Sequence, residues 1–214
     1  MFEAPIRLVT LGLAAALLAA CATTGLQGRM EDGRYYAPNG MISFYPPNLR
    51  GPQHTVIDFY SRELERGFLE ESDVFGLQGI YYSSLQQAGI SPPSSLEERR
   101  SALDRGLANF AMRIVFASDS TRAEVVHQEL VVEQGDETLL ALVRVPGLSG
   151  SFDVRTGKKF DAFPAILVVI EGGYVVVLRM QSNLVDADGR DPKERISSYP
   201  AGLQKLKLGL QVRP

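Results

Sequence analysis

The chain has 214 residues, 45% of them hydrophobic and 22% charged, with a formal net charge of −3. This balance excludes the disordered and fibrous classes, and a weakly acidic chain carries no electrostatic footprint for nucleic acid. The one cysteine, Cys21, removes disulfide frameworks, so the folded part must stand on a hydrophobic core.

The first segment reads MFEAPIRLVTLGLAAALLAAC, with Arg7 in a short leading region that also holds Glu3, then an apolar run from Leu8 to Ala20. That run rises only about 20 Å as a helix, short of a hydrocarbon core of about 30 Å. A cleaved export signal is expected in place of a membrane span.

The spacing Leu18-Ala19-Ala20-Cys21 resembles the lipobox of bacterial lipoproteins. The resemblance implies cleavage between Ala20 and Cys21, a thioether from Cys21 to diacylglycerol, and acylation of its new amino group. A single acyl chain holds a protein only marginally, at about 0.8 kcal/mol per buried methylene, whereas two or three on one residue anchor it. Ala22 follows where an Asp would resemble an inner-membrane retention signal, which implies an outer-membrane address facing the periplasm. A buried free cysteine beside a cleavage site is the blander alternative. The expected organisation is a signal peptide over 1–20, a lipidated N-terminus and flexible tether over 21–33, and a single globular α+β domain over 34–214. The expected partners are the lipid bilayer, through the Cys21 acyl chains, and an envelope protein. No nucleic acid and no cofactor is expected.

Behind the small, polar tether, RYYAPNGMISFYPPN sets Pro38-Asn39-Gly40 between two apolar-aromatic runs, a hairpin signal. TVIDFYS alternates Val56, Asp58 and Tyr60 against Ile57, Phe59 and Ser61, the period of a strand. GFLEES and VFGLQGIYYSSL read as further strands, the second interrupted by Gly76 and Gly79. The stretch SPPSSLEERRSALDRGLANFAMRIVFAS differs. Two prolines stop what precedes it, and Ser94 with Glu97, or Ser95 with Glu98, offers a capping box. Leu96, Leu103, Leu107, Phe110, Ala111 and Ile114 then recur at helical spacing, which predicts an amphipathic helix packed by one stripe. Strands follow at RAEVVHQELVVEQ and, after a Gly-Asp turn, at ETLLALVRVP. FPAILVVIE and YVVVLRMQS are joined by Gly172-Gly173, a two-residue loop suited to positive φ. AILVVI is apolar on both faces and so belongs in a sheet centre covered on both sides. Leu203, Leu206 and Leu210 suggest a closing helix. Hairpins with helices inserted between them predict an α+β fold, a mostly antiparallel sheet flanked by two helices.

GRYYAPNGMISFYPP and PAILVVIEGGYVVVLRMQS with its following helix resemble PsbP-like α/β/α proteins. They also resemble a set of bacterial lipoproteins that open their domain with Tyr-x-x-Pro-x-Gly, a strand and Pro-Pro. The matching stretches cover about a third of the chain, residues 62–130 have no clear counterpart, and none is a catalytic motif. The resemblance implies an assembly or accessory role, by fold analogy alone.

Candidate chemistry is sparse. His54 and His127 are the only histidines. His127 is expected to share a strand face with Val125 and Glu129, where a metal would want a second His or converging carboxylates. GLSG at 147–150 lacks the Gly-x-Ser-x-Gly spacing of a nucleophile elbow. DADGRD at 186–191 puts Leu184 and Arg195 where a calcium loop needs acids. Glu70, Glu71 and Asp73, or Asp58 with Glu63, could be nominated as carboxylate pairs, although adjacent acids usually form a solvated face. The basic cluster ERRSALDR reads as a face balanced by acids within the helix. The aromatics, 8 Tyr and 10 Phe with no Trp, gather in a few stretches that either pack the core or form a partner patch. No catalytic residue or metal ligand is therefore nominated. The reading is a non-catalytic accessory lipoprotein. The alternatives are a periplasmic carboxylate hydrolase, which needs two close acids in a cleft, and a hydrophobic-ligand carrier, which needs an apolar cavity between sheet and helix.

Overall fold

Seven antiparallel strands form the central sheet in the order β4-β5-β6-β10-β9-β8-β7. They are β4 (Thr55–Ser61), β5 (Arg66–Ser72), β6 (Gly76–Ser84), β7 (Glu124–Glu133), β8 (Asp136–Arg144), β9 (Ala165–Glu171) and β10 (Tyr174–Ser182). A smaller sheet, ordered β1-β2-β3-β11, joins β1 (Arg29–Glu31), β2 (Arg34–Tyr36), β3 (Ile42–Phe44) and β11 (Gln211–Val212). The computed structural model describes residues 27–46, 49, 51–73, 76–116, 122–133, 135–146, 161–182 and 199–213. The fold is α+β with mostly antiparallel sheet, as the hairpin pattern predicts. The expected tether region contributes residues 29–31 to the first hairpin, whose turn carries Asp32 and Gly33 at φ 49° and 74°.

Local chemistry accounts for most of the turns. Asn39 Oδ1 accepts from the Met41 N–H, Gly40 takes φ 71°, and the β2–β3 hairpin closes around them. Gly172 and Gly173 both hold positive φ, 54° and 82°, the two-residue turn that suits the twist of β9 and β10. The backbone runs β4-β5-β6, crosses one face through a helix to the far edge, and returns as β7-β8-β9-β10 until β10 pairs with β6.

Side-chain alternation splits the core into two layers. On the front, Tyr81, Ile166, Val168, Val175 and Val177 meet Leu103, Leu107, Phe110 and Ala111 of the crossing helix. On the back, Ile80, Tyr82, Leu140, Leu167, Val176 and Leu178 meet Tyr35, Ile42 and Phe44 of the small sheet. Leu203 and Leu210 from the C-terminal end complete the back layer. β9 and β10 are thus buried on both faces, as their unbroken apolar runs require.

The crossing helix starts as α1 (Leu96–Arg105). Ser95 Oγ accepts from the Glu98 N–H, while the Glu98 carboxylate accepts from the Ser94 N–H and hydroxyl. This is a capping box displaced one residue on its return bond. From Gly106 to Val115 the helix widens to i→i+5 hydrogen bonding, with Phe116 N–H donating to the Ala111 carbonyl. Gly106 marks the closest approach to the sheet, because a Cβ there would stand 2.8 Å from Val168. The widening corrects the predicted stripe: Val115 turns inward at 8% exposure and Ile114 turns out at 38%. Leu96, in the first turn, is also mostly exposed. The closing helix is α2 (Tyr199–Gly209), with Leu203 fully buried.

Arg99 and Arg100 find partners on the sheet, which differs from the expected pairing within the helix. Arg99 Nη2 is 3.3 Å from Asp136, and Arg100 forks onto the buried Glu137 with Nη2–Oε1 at 2.7 Å and Nε–Oε2 at 3.0 Å. The Arg100 hydrogen bonds hold the Glu137 carboxyl below the usual carboxylate range. A carboxyl depressed on folding stabilises the native state above its unfolded pKa, about 4.3, and loses that contribution as pH falls through its folded value. Urea midpoints for wild type and Glu137→Gln should therefore converge as pH drops from 7 to 3, with the wild type superior only at the upper end. Parallel pH profiles would dismiss this bridge as a source of acid sensitivity.

Candidate binding groove

Three strands present one row of side chains each to the front of the sheet at its β4 edge. In β5 the row is Arg66, Phe68 and Glu70; its cross-strand partners are Ser61, Phe59 and Ile57 on β4, and Ser83, Tyr81 and Gly79 on β6. Phe59 stacks on Phe68 at 5.5 Å between centroids, and Phe68 leans on Tyr81 at 5.6 Å. This aromatic ladder is the floor of a pocket of about 370 Å³ whose opposite wall is Phe110, Ile114 and Val115 of the widened helix. Gly79 is required under it, because a Cβ there would sit 2.8 Å from the Tyr81 ring.

A second pocket of about 380 Å³ adjoins the first, sharing Arg66, Phe110 and Ile114. Its further lining mixes Leu64, Ala88 and Gly89 with the polar side chains of Ser83, Gln87, Asn109 and Arg113. Among the described residues, neither Arg66 nor Arg113 has a hydrogen-bond or ion-pair partner for its guanidinium. One continuous groove thus has an aromatic half and a cationic half.

Behind the aromatic half lies a polar relay. The Tyr81 hydroxyl donates to Glu70, and burial pushes its pKa above the ordinary tyrosine value. Arg179, also on the front face, donates to Gln181 at 2.8 Å and stacks over Phe116 at 4.8 Å, while its Nε is buried without a hydrogen-bond partner among the described residues.

The nominated acids serve the fold. Asp58 accepts from the Gly28 N–H and the Tyr35 hydroxyl, locking the first strands onto the back of β4. Glu71 accepts from the Leu49 N–H and stands 3.5 Å from His54; Asp73 accepts from the N–H groups of Gly51 and Gly76. Glu63 is exposed in the β4–β5 turn, away from the site of Asp58. Glu70 and Glu71, being adjacent in a strand, face opposite sides of the sheet. His127 stands 3.7 Å from Glu129, both about half exposed on the back face of β7. A bulge between Val125 and His127 turns Val125 to the opposite face, correcting the expected shared face. No cluster of three metal-ligating side chains occurs among the described residues. Ala20, Cys21, GLSG and DADGRD lie outside those residues.

Arg66 and Arg113 were not singled out by the sequence. The one available signal was the alternation that places Ile57 and Phe59 on the same side of β4.

No family model matches the chain, and no curated protein matches it. In fold it is loosely similar to cyanobacterial PsbP. The solution structure of that protein (CyanoP) from Synechocystis is 15% identical with a TM-score of 0.49, covering 90% of this chain and 97% of its own. The crystal structure of the Saccharomyces cerevisiae Ran-binding protein Mog1p is 14% identical with a TM-score of 0.47, covering 86% and 96%. These are likenesses of fold, and neither bears on what the groove accepts.

Proposed function

We propose that this chain is a bacterial outer-membrane lipoprotein, anchored by acyl chains on Cys21, whose domain faces the periplasm and serves as a non-catalytic binding or accessory module. The anchoring half rests on Leu18-Ala19-Ala20-Cys21 behind an apolar run too short to span a bilayer. The binding half rests on the groove, where an aromatic wall adjoins two guanidiniums that have no partner among the described residues. Concave apolar lining with a few convergent polar groups is the usual make-up of a ligand site. The surrounding acids are engaged in holding strands together, and a glycosidase-type pair would need two carboxyls about 5–9.5 Å apart on one cleft. The groove therefore favours the ligand-carrier reading over the hydrolase.

The anchor is tested by feeding cells an alkyne-tagged fatty acid and fractionating them. Wild type should carry the label and sediment with the outer membrane. Cys21→Ser should lose the label entirely and accumulate as unprocessed precursor. Normal processing of the variant would overturn the lipoprotein reading.

A further inference from the structure

We propose that the groove binds one single-chain anionic amphiphile, a free long-chain fatty-acid anion. This deepens the reading of the domain as a binding module and rests on it. Arg66 and Glu70 stand on the same face of β5, four residues and thus about 13 Å apart. Between them runs the Phe59–Phe68–Tyr81 ladder, roofed by Phe110, Ile114 and Val115. An apolar chain lying along β5, across that ladder from Arg66 toward Glu70, meets ring carbon beneath and the helix side chains above. Its two ends are electrically opposite: Glu70 repels a carboxylate, while Arg66, with Arg113 across the groove in the adjoining pocket, attracts one.

Both arginines lack an ionic partner among the described residues, whereas Arg99 and Arg100 of the crossing helix bridge to carboxylates on β8 and Arg179 stacks on an aromatic ring. Asn109 and Gln87 add neutral donors at the same end. Size sets the number of chains. The aromatic half, about 370 Å³, lies at the small end of ligand pockets, which run about 300–1,000 Å³, and so suits one acyl chain better than the paired chains of an intact bilayer lipid. The exposed side chains at the mouth, Ile57 at 46% and Phe59 at 36%, would be covered by such a ligand.

The test uses palmitate bearing a terminal photoreactive diazirine, added to the mature lipoprotein in phosphatidylcholine nanodiscs, with the crosslinked residues mapped by mass spectrometry. Crosslinks should fall on β4 and on residues 110–115. Excess palmitate should compete and hexadecanol, which has the same chain without charge, should not. Arg66→Gln and Arg113→Gln should each weaken competition by about tenfold, the usual worth of a charge-assisted hydrogen bond. Arg113 is exposed on the helix, so that variant keeps the fold. Crosslinks elsewhere, equal competition by the alcohol, or variants indistinguishable from wild type would each overturn the proposal. The full chain carrying Cys21→Ser is run in parallel. Equal labelling of it supports a free ligand and stands even if the anchor assignment fails. Labelling confined to it would mean that the protein's own acyl chain fills the groove, which overturns the free-ligand proposal.

Discussion

Leu178→Ala should lower the melting temperature of the domain by about 4–20 °C. Leu178 is 0% exposed on β10, directly between Ile80 of β6 and Leu167 of β9. It belongs to the back layer together with Leu203 of α2 and the small sheet. Removing three carbons there loses their transfer free energy and leaves a cavity whose walls, hydrogen-bonded strands on either side, collapse poorly. Buried Leu→Ala changes cost about 2–5 kcal/mol, and for a domain of this size each kcal/mol moves the midpoint by about 2–4 °C. Leu208→Ala is the matched control: its side chain is 80% exposed, and the change should stay within about 0.5 kcal/mol. Circular dichroism melts of the two variants decide the matter, and midpoints within 2 °C of each other, a gap of about 1 kcal/mol or less, would refute the two-sided core around β10.

Gly67→Ala should destabilise the domain by about 1–3 kcal/mol, an overpacking cost, and should loosen β4 specifically. Gly67 lies on β5 between Tyr60 of β4 and Tyr82 of β6. An added Cβ would stand 2.6 Å from the Phe59 carbonyl oxygen and 2.5 Å from the Tyr82 hydroxyl. The first is strand backbone and the second belongs to a ring with 0% exposure, so neither yields freely. The edge strand has the fewest bonds to lose, because it pairs on one side only. Faster amide exchange along Thr55–Ser61, with β9 and β10 still protected, is the expected signature. Adding Tyr82→Phe should recover only part of the loss, because it removes the hydroxyl clash and leaves the ring Cζ at 2.8 Å and the carbonyl oxygen at 2.6 Å. Unchanged exchange in β4 would show that the strands can part without strain.

Much of the architecture was legible because it is encoded locally. Pro38-Asn39-Gly40 and Gly172-Gly173 name their turns through the φ values they permit, Ser95 names its cap through a side chain that reaches Glu98 N–H, and alternation in TVIDFYS names a strand. The errors occurred where neighbours outside the segment intervene. A period of 3.6 puts Ile114 in the buried stripe, but the helix widens against β9 and β10 and brings Val115 in instead. A period of 2 puts Val125 on the face of His127, but a bulge in β7 interrupts it. The charge pattern pairs Arg100 within its helix, whereas its carboxylate partner, Glu137, lies on β8.

The groove lay beyond sequence reasoning for the same cause. Its apolar floor needs β4, β5 and β6 in register, its roof needs the widened helix, and its cationic end needs Arg66 and Arg113 brought together from separate elements. None of those conditions is a property of any one stretch. By itself the sequence determined the elements, their turns and caps, the α+β class and the lipobox-like segment around Cys21, since these follow from backbone preferences and side-chain periodicity over a few residues. Only the tertiary structure decided which acids are spent on holding strands, which apolar side chains stay exposed, and which charges are left without partners. Those outcomes depend on long-range burial and strand order, which appear only when distant segments pack.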